Sequence, residues 1–241
     1  MNWTHWNIDC LPPLLLMQPQ RDSVLITSRL NAWQLDGLYF FGFEDYRRLQ
    51  ISNAEGIKLY GFDSLEFVWN FDQIDRLHYM RSAIDGYRPC NSGGPLLVVA
   101  PDFTIPERIQ RVSNPEQLAE VARQAGAMPV RQSKLSYYDK LVLLSKAKNI
   151  VCLPGSESIN PFLFGHSSLR IIQLIPWPNE LALLSSYSML VNYRQLAAQL
   201  IQNVHYLYSG NQEESPSSFD EPRYFSPLKL HSALQSCYVD I

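Results

Sequence analysis

The sequence predicts an α/β fold, a parallel sheet built from alternating strands and helices and divided into two lobes. Three observations carry that expectation. Residues 96–100, Leu-Leu-Val-Val-Ala, form a short apolar run between Pro95 and Pro101, the pattern of a strand buried on both faces. From there to residue 174, short apolar runs alternate with helix-length segments, an alternation that brings successive strands parallel through crossover helices. Ahead of it, residues 86–95 gather Pro89, Asn91, Ser92, Gly93, Gly94 and Pro95 into one cluster, which separates this series from an earlier one.

In the first lobe, residues 2–9 read as an opening helix and residues 23–28 as a short buried strand rich in β-branched side chains. Residues 44–56 read as a helix closed by Gly56, and residues 57–62 and 65–71 as strands around a turn at 61–64. A helix follows over 72–85. In the second lobe, Asn114 is the expected N-cap of a helix over 115–125, with Pro115 in its first turn and Gly126 closing it. A strand is expected at 128–131, a helix over 135–147 with Ser136 as its cap, and further strands at 150–153 and 170–174. Residues 210–227, polar and proline-containing, read as a flexible tail. The expected domains are thus 1–88, 89–208 and a tail over 209–241.

Composition narrows the class. With 241 residues, 46% of them hydrophobic, the chain has ample material for a core. A formal charge of -3 without any Lys/Arg run argues against a nucleic-acid partner. The most apolar stretch, residues 11–17, is far shorter than the ~20 residues that span a bilayer, so no membrane span is expected. Cys10, Cys90, Cys152 and Cys237 are widely separated, as are the five histidines, which suits a reducing cytoplasm and suggests no metal site.

The chemistry suggested by the residues begins at the first line. At ~100° per residue, Asn2, His5 and Asp9 fall within an arc of roughly 60° on a helix. Asp9 lies one turn from His5, so its carboxylate can hold the imidazole's tautomer and raise its basicity, as a general base requires. The same stripe also reads as the solvated face of an opening helix, and spacing leaves both readings open.

Asn2, His5, Asp9, Leu11 and Pro12 resemble the N-x-x-H-x-x-x-D-x-L-P signature of glycosyltransferase family 61, which includes capsule, lipopolysaccharide and xylan-decorating transferases. A second block agrees in order. Arg111 and Asn114 precede a helix, a strand, a second helix and a strand that runs into Pro154-Gly155-Ser156-Glu157-Ser158-Ile159-Asn160, which is similar to the family's P-H-G-A-x-x-x-N loop. Pro154 stands where the family usually carries His, Ser156 where it carries Ala, and Lys140 where Gln is common. The Arg expected after the strand at 96–99 is replaced by Ala100-Pro101 or displaced to Arg108.

The resemblance implies a GT-B-like fold of two Rossmann-like lobes, the first of them incomplete because relatives carry a sizeable region before the signature. It implies an inverting, metal-independent transfer of sugar from a nucleotide-sugar, UDP-linked by expectation, to a glycan acceptor in polysaccharide biosynthesis, with no further cofactor. His5 would be the base, Asp9 its partner and Asn2 the group orienting acceptor or imidazole. Trp3, Trp6 and Trp33 are candidates for stacking on sugars or for core packing. On the donor side, Gly155 allows close backbone approach, a helix starting near Asn160 would aim N–H groups at a diphosphate, and Arg108 or Arg111 would pair with it. Ser156, Ser158 and Glu157 complete the loop, with Glu157 repelling phosphate unless it turns to ribose hydroxyls. A plain tight turn at Gly155-Ser156 is the alternative. At the level of the whole chain, the alternatives are a family member without donor binding that acts as an interaction module or partner subunit, a homo-oligomer included, and a nucleotide or sugar-phosphate binder of unrelated activity.

Overall fold

The computed structural model describes residues 6–27, 29–50, 73–89, 97–103, 112–153, 156–176, 203–210 and 222–236. Contacts divide the chain into two compact units, residues 1–83 with 136–138, and residues 84–135 with 139–241.

The first unit opens in a π-helical turn, Trp6–Cys10, and continues as helix α1, Leu11–Met17. Pro12 and Pro13 fit its first turn, where a backbone N–H has no intrahelical acceptor in any case. Gln18, left-handed at φ 44°, ends it. Strand β1 (Val24–Thr27), helix α2 (Ala32–Phe40) and strand β2 (Arg47–Gln50) then make a βαβ unit, the two strands pairing in parallel with Val24 opposite Arg47.

This unit corrects the sequence reading in three places. The strand at 23–28 forms, but it is not buried on both faces, because Val24 and Ile26 are exposed. Within the helix expected over 44–56, residues 47–50 are instead a strand whose main chain pairs with β1, and residues 51–56 lie outside the described residues. Helix α2 lacks an amphipathic stripe and was not expected. Its start is nevertheless marked by Asn31-x-x-Gln34, a capping box in which the Asn31 N–H donates to Gln34 Oε1 at 2.8 Å. The strands expected at 57–62 and 65–71 lie outside the described residues. Helix α3, Gln73–Asp85, forms as expected and runs across the division between the units.

The second unit is built on a five-stranded, wholly parallel sheet in the order β4-β3-β5-β6-β7. Its strands are β3 (Leu97–Pro101), β4 (Met128–Val130), β5 (Ala147–Cys152), β6 (Arg170–Ile175) and β7 (Val204–Tyr208). Helix α4 (Pro115–Gln124) links β3 to β4, and α5 (Tyr137–Ser145) links β4 to β5. A 3-10 turn (Ser156–Ile159), leading directly into α6 (Asn160–Phe164), lies between β5 and β6. From β5 to β6, both faces are apolar and covered, as in a parallel sheet sandwiched between helices. One face is packed by Leu118, Val121 and Ala122 of α4 and by Leu230, Ala233 and Leu234 of helix α7 (Pro227–Gln235), against Ala100, Val151, Ile172, Leu174 and Leu207.

Within the tail expected over 209–241, the described residues 222–236 form helix α7 and the segment leading into it. Residues 222–236 belong to the folded body: Phe225 is buried in the core, Val112 bridges Arg223, and Ser226 caps α7 by accepting from the Lys229 N–H at 3.4 Å. Asn114 is the reason the segment is held. Its side chain does not cap α4 but clamps Phe225 from both sides, Nδ2 donating to Phe225 O at 2.8 Å and Oδ1 accepting from Phe225 N at 3.1 Å. A polar sequence with three prolines gave no sign that one buried aromatic and three helix residues anchor it.

Candidate functional site

The strand order sets where a ligand fits in the second unit. Chain order runs outward from β3 to β4 on one side, and from β5 through β6 to β7 on the other, so the direction of winding reverses between β3 and β5. In open parallel sheets the crevice outside the carboxyl ends of the strands at such a reversal is the usual ligand site, because the two loops part there instead of crossing.

The carboxyl edge is also where buried polar side chains collect. Gln132 follows β4, Ser158 and Asn160 follow β5, Gln173 lies near the end of β6, and Ser209 follows β7, all of them buried. Asn160 Nδ2 donates to Gln132 Oε1 at 2.7 Å. Since β3 lies between β4 and β5, this bond bridges the segments that follow its two neighbours. Gln173 Nε2 points at the carbonyls of Leu174, Cys152 and Leu153 at 3.1, 3.4 and 3.4 Å, and so fixes the chain as it leaves β5. At the far end of α6, Arg88 NH1 donates to Phe164 O at 2.8 Å, capping a carbonyl that has no partner within the helix. The loop after β5 is thereby braced on both sides.

Two of the expected donor-side residues are buried: Asn160 fully so, with its Nδ2 donating to Gln132 Oε1, and Ser158 as well. Helix α6 has only five residues and starts from a 3-10 turn, which leaves little of the dipole expected to face a diphosphate. Ser156 and Glu157 lie in that 3-10 turn. Gly155, Pro154, Arg108 and Arg111 lie outside the described residues, as do Asn2 and His5. Lys140 is buried, its ammonium donating to Leu135 O at 2.6 Å.

The opening segment is held in the first unit by a tyrosine from far along the chain. Asp9 lies in the π-helical turn, and its neighbour Asn7 is fully buried, with Oδ1 accepting from Tyr137 OH at 2.8 Å. The Tyr137 N–H donates to Asp36 Oδ2 at 2.8 Å, and its ring packs near Phe40 and Phe41. Gly37 makes room for this: a Cβ there would meet the Tyr137 ring and hydroxyl at 2.8 Å and Trp6 Nε1 at 3.0 Å. Burial raises the Tyr137 phenol well above the ordinary tyrosine range, an effect its bond to Asn7 only partly offsets, so it stays a neutral donor. Trp6 is buried and meets Trp33 edge-on at 6.3 Å, which assigns Trp6 to core packing and not to a sugar platform. Sequence reading passed over Asn7, Tyr137, Gln132 and Gln173, because an isolated polar residue inside an apolar element gives no sign of the partner it meets.

Among the described residues, no group of three or more His, Cys, Asp or Glu side chains could hold a metal ion. No described helix is long and apolar enough to cross a membrane. The second unit is an α/β body with a five-stranded parallel sheet flanked by helices, compatible with a Rossmann-like arrangement. Neither a protein-family model nor a curated protein matches this chain.

Proposed function

We propose that the chain is a glycosyltransferase of the family 61 type, with a GT-B-like pair of lobes, in which the second unit takes a nucleotide-sugar and the opening segment supplies the base. One observation supports this above the others. The winding reverses between β3 and β5, and the strands there lead into the two segments, 102–111 and 153–160, that carry the expected donor-side residues Arg108, Arg111 and Gly155 through Asn160. In the chemistry proposed, an Arg neutralises the departing diphosphate while His5, polarised by Asp9, takes the proton of the attacking acceptor hydroxyl. Inversion follows from a single displacement at the anomeric carbon.

The reaction is tested by following release of nucleoside diphosphate from a panel of nucleotide-sugars mixed with glycan acceptors. His5→Ala should lower the rate by ~10²–10⁴ with donor affinity little changed, since a base acts in the transition state. Asp9→Asn should do less harm, because it retains a hydrogen-bonding group beside the ring.

A second reading, that of a family member without donor binding acting as a partner subunit, draws support from α5 and from the loop after β5. Lys140 is turned inward, and Asn160 is occupied by Gln132. That reading predicts no release from any donor and no binding of nucleoside diphosphate.

A further inference from the structure

The bracing of the loop after β5 uses only half of the Gln132 side chain. Gln132 opens the 3-10 turn Gln132–Lys134 that follows β4, and it is 6% exposed. Its Oε1 accepts from Nδ2 of the fully buried Asn160 at 2.7 Å, which fixes the orientation of the amide. A primary amide carries two N–H donors beside its carbonyl. Among the described residues no hydrogen bond engages Gln132 Nε2, and the nitrogen is not sealed from the surface as the unpartnered Asn149 Oδ1 is. The backbone sets where those donors lie. Strands β4 and β5 flank β3, so the Gln132–Asn160 pair crosses outside the carboxyl end of β3, at the reversal of winding where open parallel sheets take ligands. Its surroundings are fixed. The β3–β4 pairing runs to Pro101 opposite Val130, and the Asp102 N–H continues it by donating to Val130 O at 3.2 Å. The Leu135 N–H donates to Gln132 O at 3.1 Å, and the Lys140 ammonium holds Leu135 O. An amide anchored by its oxygen, with donors to spare, loses little freedom when a ligand takes them.

We propose that Gln132 contacts the ligand of this crevice directly, donating from Nε2 to an acceptor oxygen of a bound nucleoside diphosphate. The inference rests on the nucleotide-sugar reading and adds to that site a recognition residue outside its sequence motifs. The leftover group only donates, so its partner is an oxygen of the diphosphate, or a carbonyl or hydroxyl oxygen of the base and ribose. The two halves of the amide then have separate tasks, the oxygen bracing the loop and the nitrogen reading the ligand. Gln132→Glu separates them. Its carboxylate, ionised at pH 8, still accepts from Asn160 Nδ2 but sets a second acceptor where the donors stood.

The test is calorimetric titration of the full chain and of Gln132→Glu at pH 8 with UDP, inorganic pyrophosphate and uridine, while the Gln132 side-chain amide signal of the wild type is followed by NMR. The amide signal should move along the same saturation curve as UDP binding. Gln132→Glu should weaken UDP by about tenfold or more, as a lost hydrogen bond with an acceptor left facing an acceptor implies. The other two ligands place the contact: a loss shared by pyrophosphate assigns it to a phosphate oxygen, and one shared by uridine to the base or ribose. A Gln132 that only braces the loop would leave both measurements unmoved. An amide signal that stays in place at saturating UDP, or one UDP affinity shared by both proteins, would therefore overturn the inference and leave the nucleotide reading standing. Absence of saturable binding of all three ligands to wild type up to millimolar concentration would overturn both. The NMR measurement needs no variant, so it decides the matter even where Gln132→Glu fails to fold.

Discussion

Tyr137 shows how much of this chain's organisation rests on single side chains. Replacing it with Phe keeps the ring contacts with Phe40 and Phe41 but removes the hydroxyl that donates to the fully buried Asn7 amide oxygen. The expected cost is ~1–3 kcal/mol in urea unfolding. The same phenol gives a pH dependence of known sign. Its folded pKa lies above its unfolded value of about 10, so its contribution is complete below pH 10 and is lost as pH rises beyond it. Wild type should lose stability above pH 10 more steeply than Tyr137→Phe. His205 acts in the opposite direction: with a folded pKa below the unfolded value, its contribution is present above the histidine range and is lost as pH falls through it. Thermal midpoints of wild type should therefore decline on acidification from pH 7.5 to 5, and His205→Gln should decline less. Gly37→Ala brings a methyl group against the Tyr137 hydroxyl, and should destabilise by roughly 1–3 kcal/mol by overpacking.

At the scale of elements, β3, α4, β5 and β6 were legible because their local signals agree. Apolar runs bounded by prolines, a first-turn Pro115 and the left-handed Gly126 at φ 65° each point to the same structure. The segment holding Arg47 and Arg48 was misread as helical because charged residues dilute the alternation of an exposed strand, while its pairing with β1 is decided 23 residues away in sequence. Helix α7 was lost inside an expected tail, since composition averages over a window and so hides Phe225, Leu230 and Leu234. These are core residues, and Leu234→Ala should cost ~2–5 kcal/mol in a denaturant titration, where a true tail would show no change. Asn114→Ala, which removes both bonds to the Phe225 backbone, should destabilise by roughly 1–3 kcal/mol and raise hydrogen exchange in α7.

For the whole molecule, the parallel α/β architecture was readable from the alternation of elements, but the reversal of winding was not, because strand order is set by which apolar faces find each other. The expectation of a donor loop rests on the spacing of Gly155, Ser156 and Asn160 in the sequence. Its bracing by Gln132, Gln173 and Arg88 was hidden, since each brace comes from an element distant in sequence. The central claim is that a nucleoside diphosphate binds outside the carboxyl ends of β3 and β5. Calorimetric titration of UDP into the full chain and into Arg108→Ala and Arg111→Ala tests it most directly. The expected result is saturable binding by wild type, weakened roughly 10- to 100-fold by removal of whichever Arg pairs with the diphosphate, as loss of a charge-assisted hydrogen bond implies. No binding at millimolar UDP, or one affinity shared by all three proteins, would contradict it.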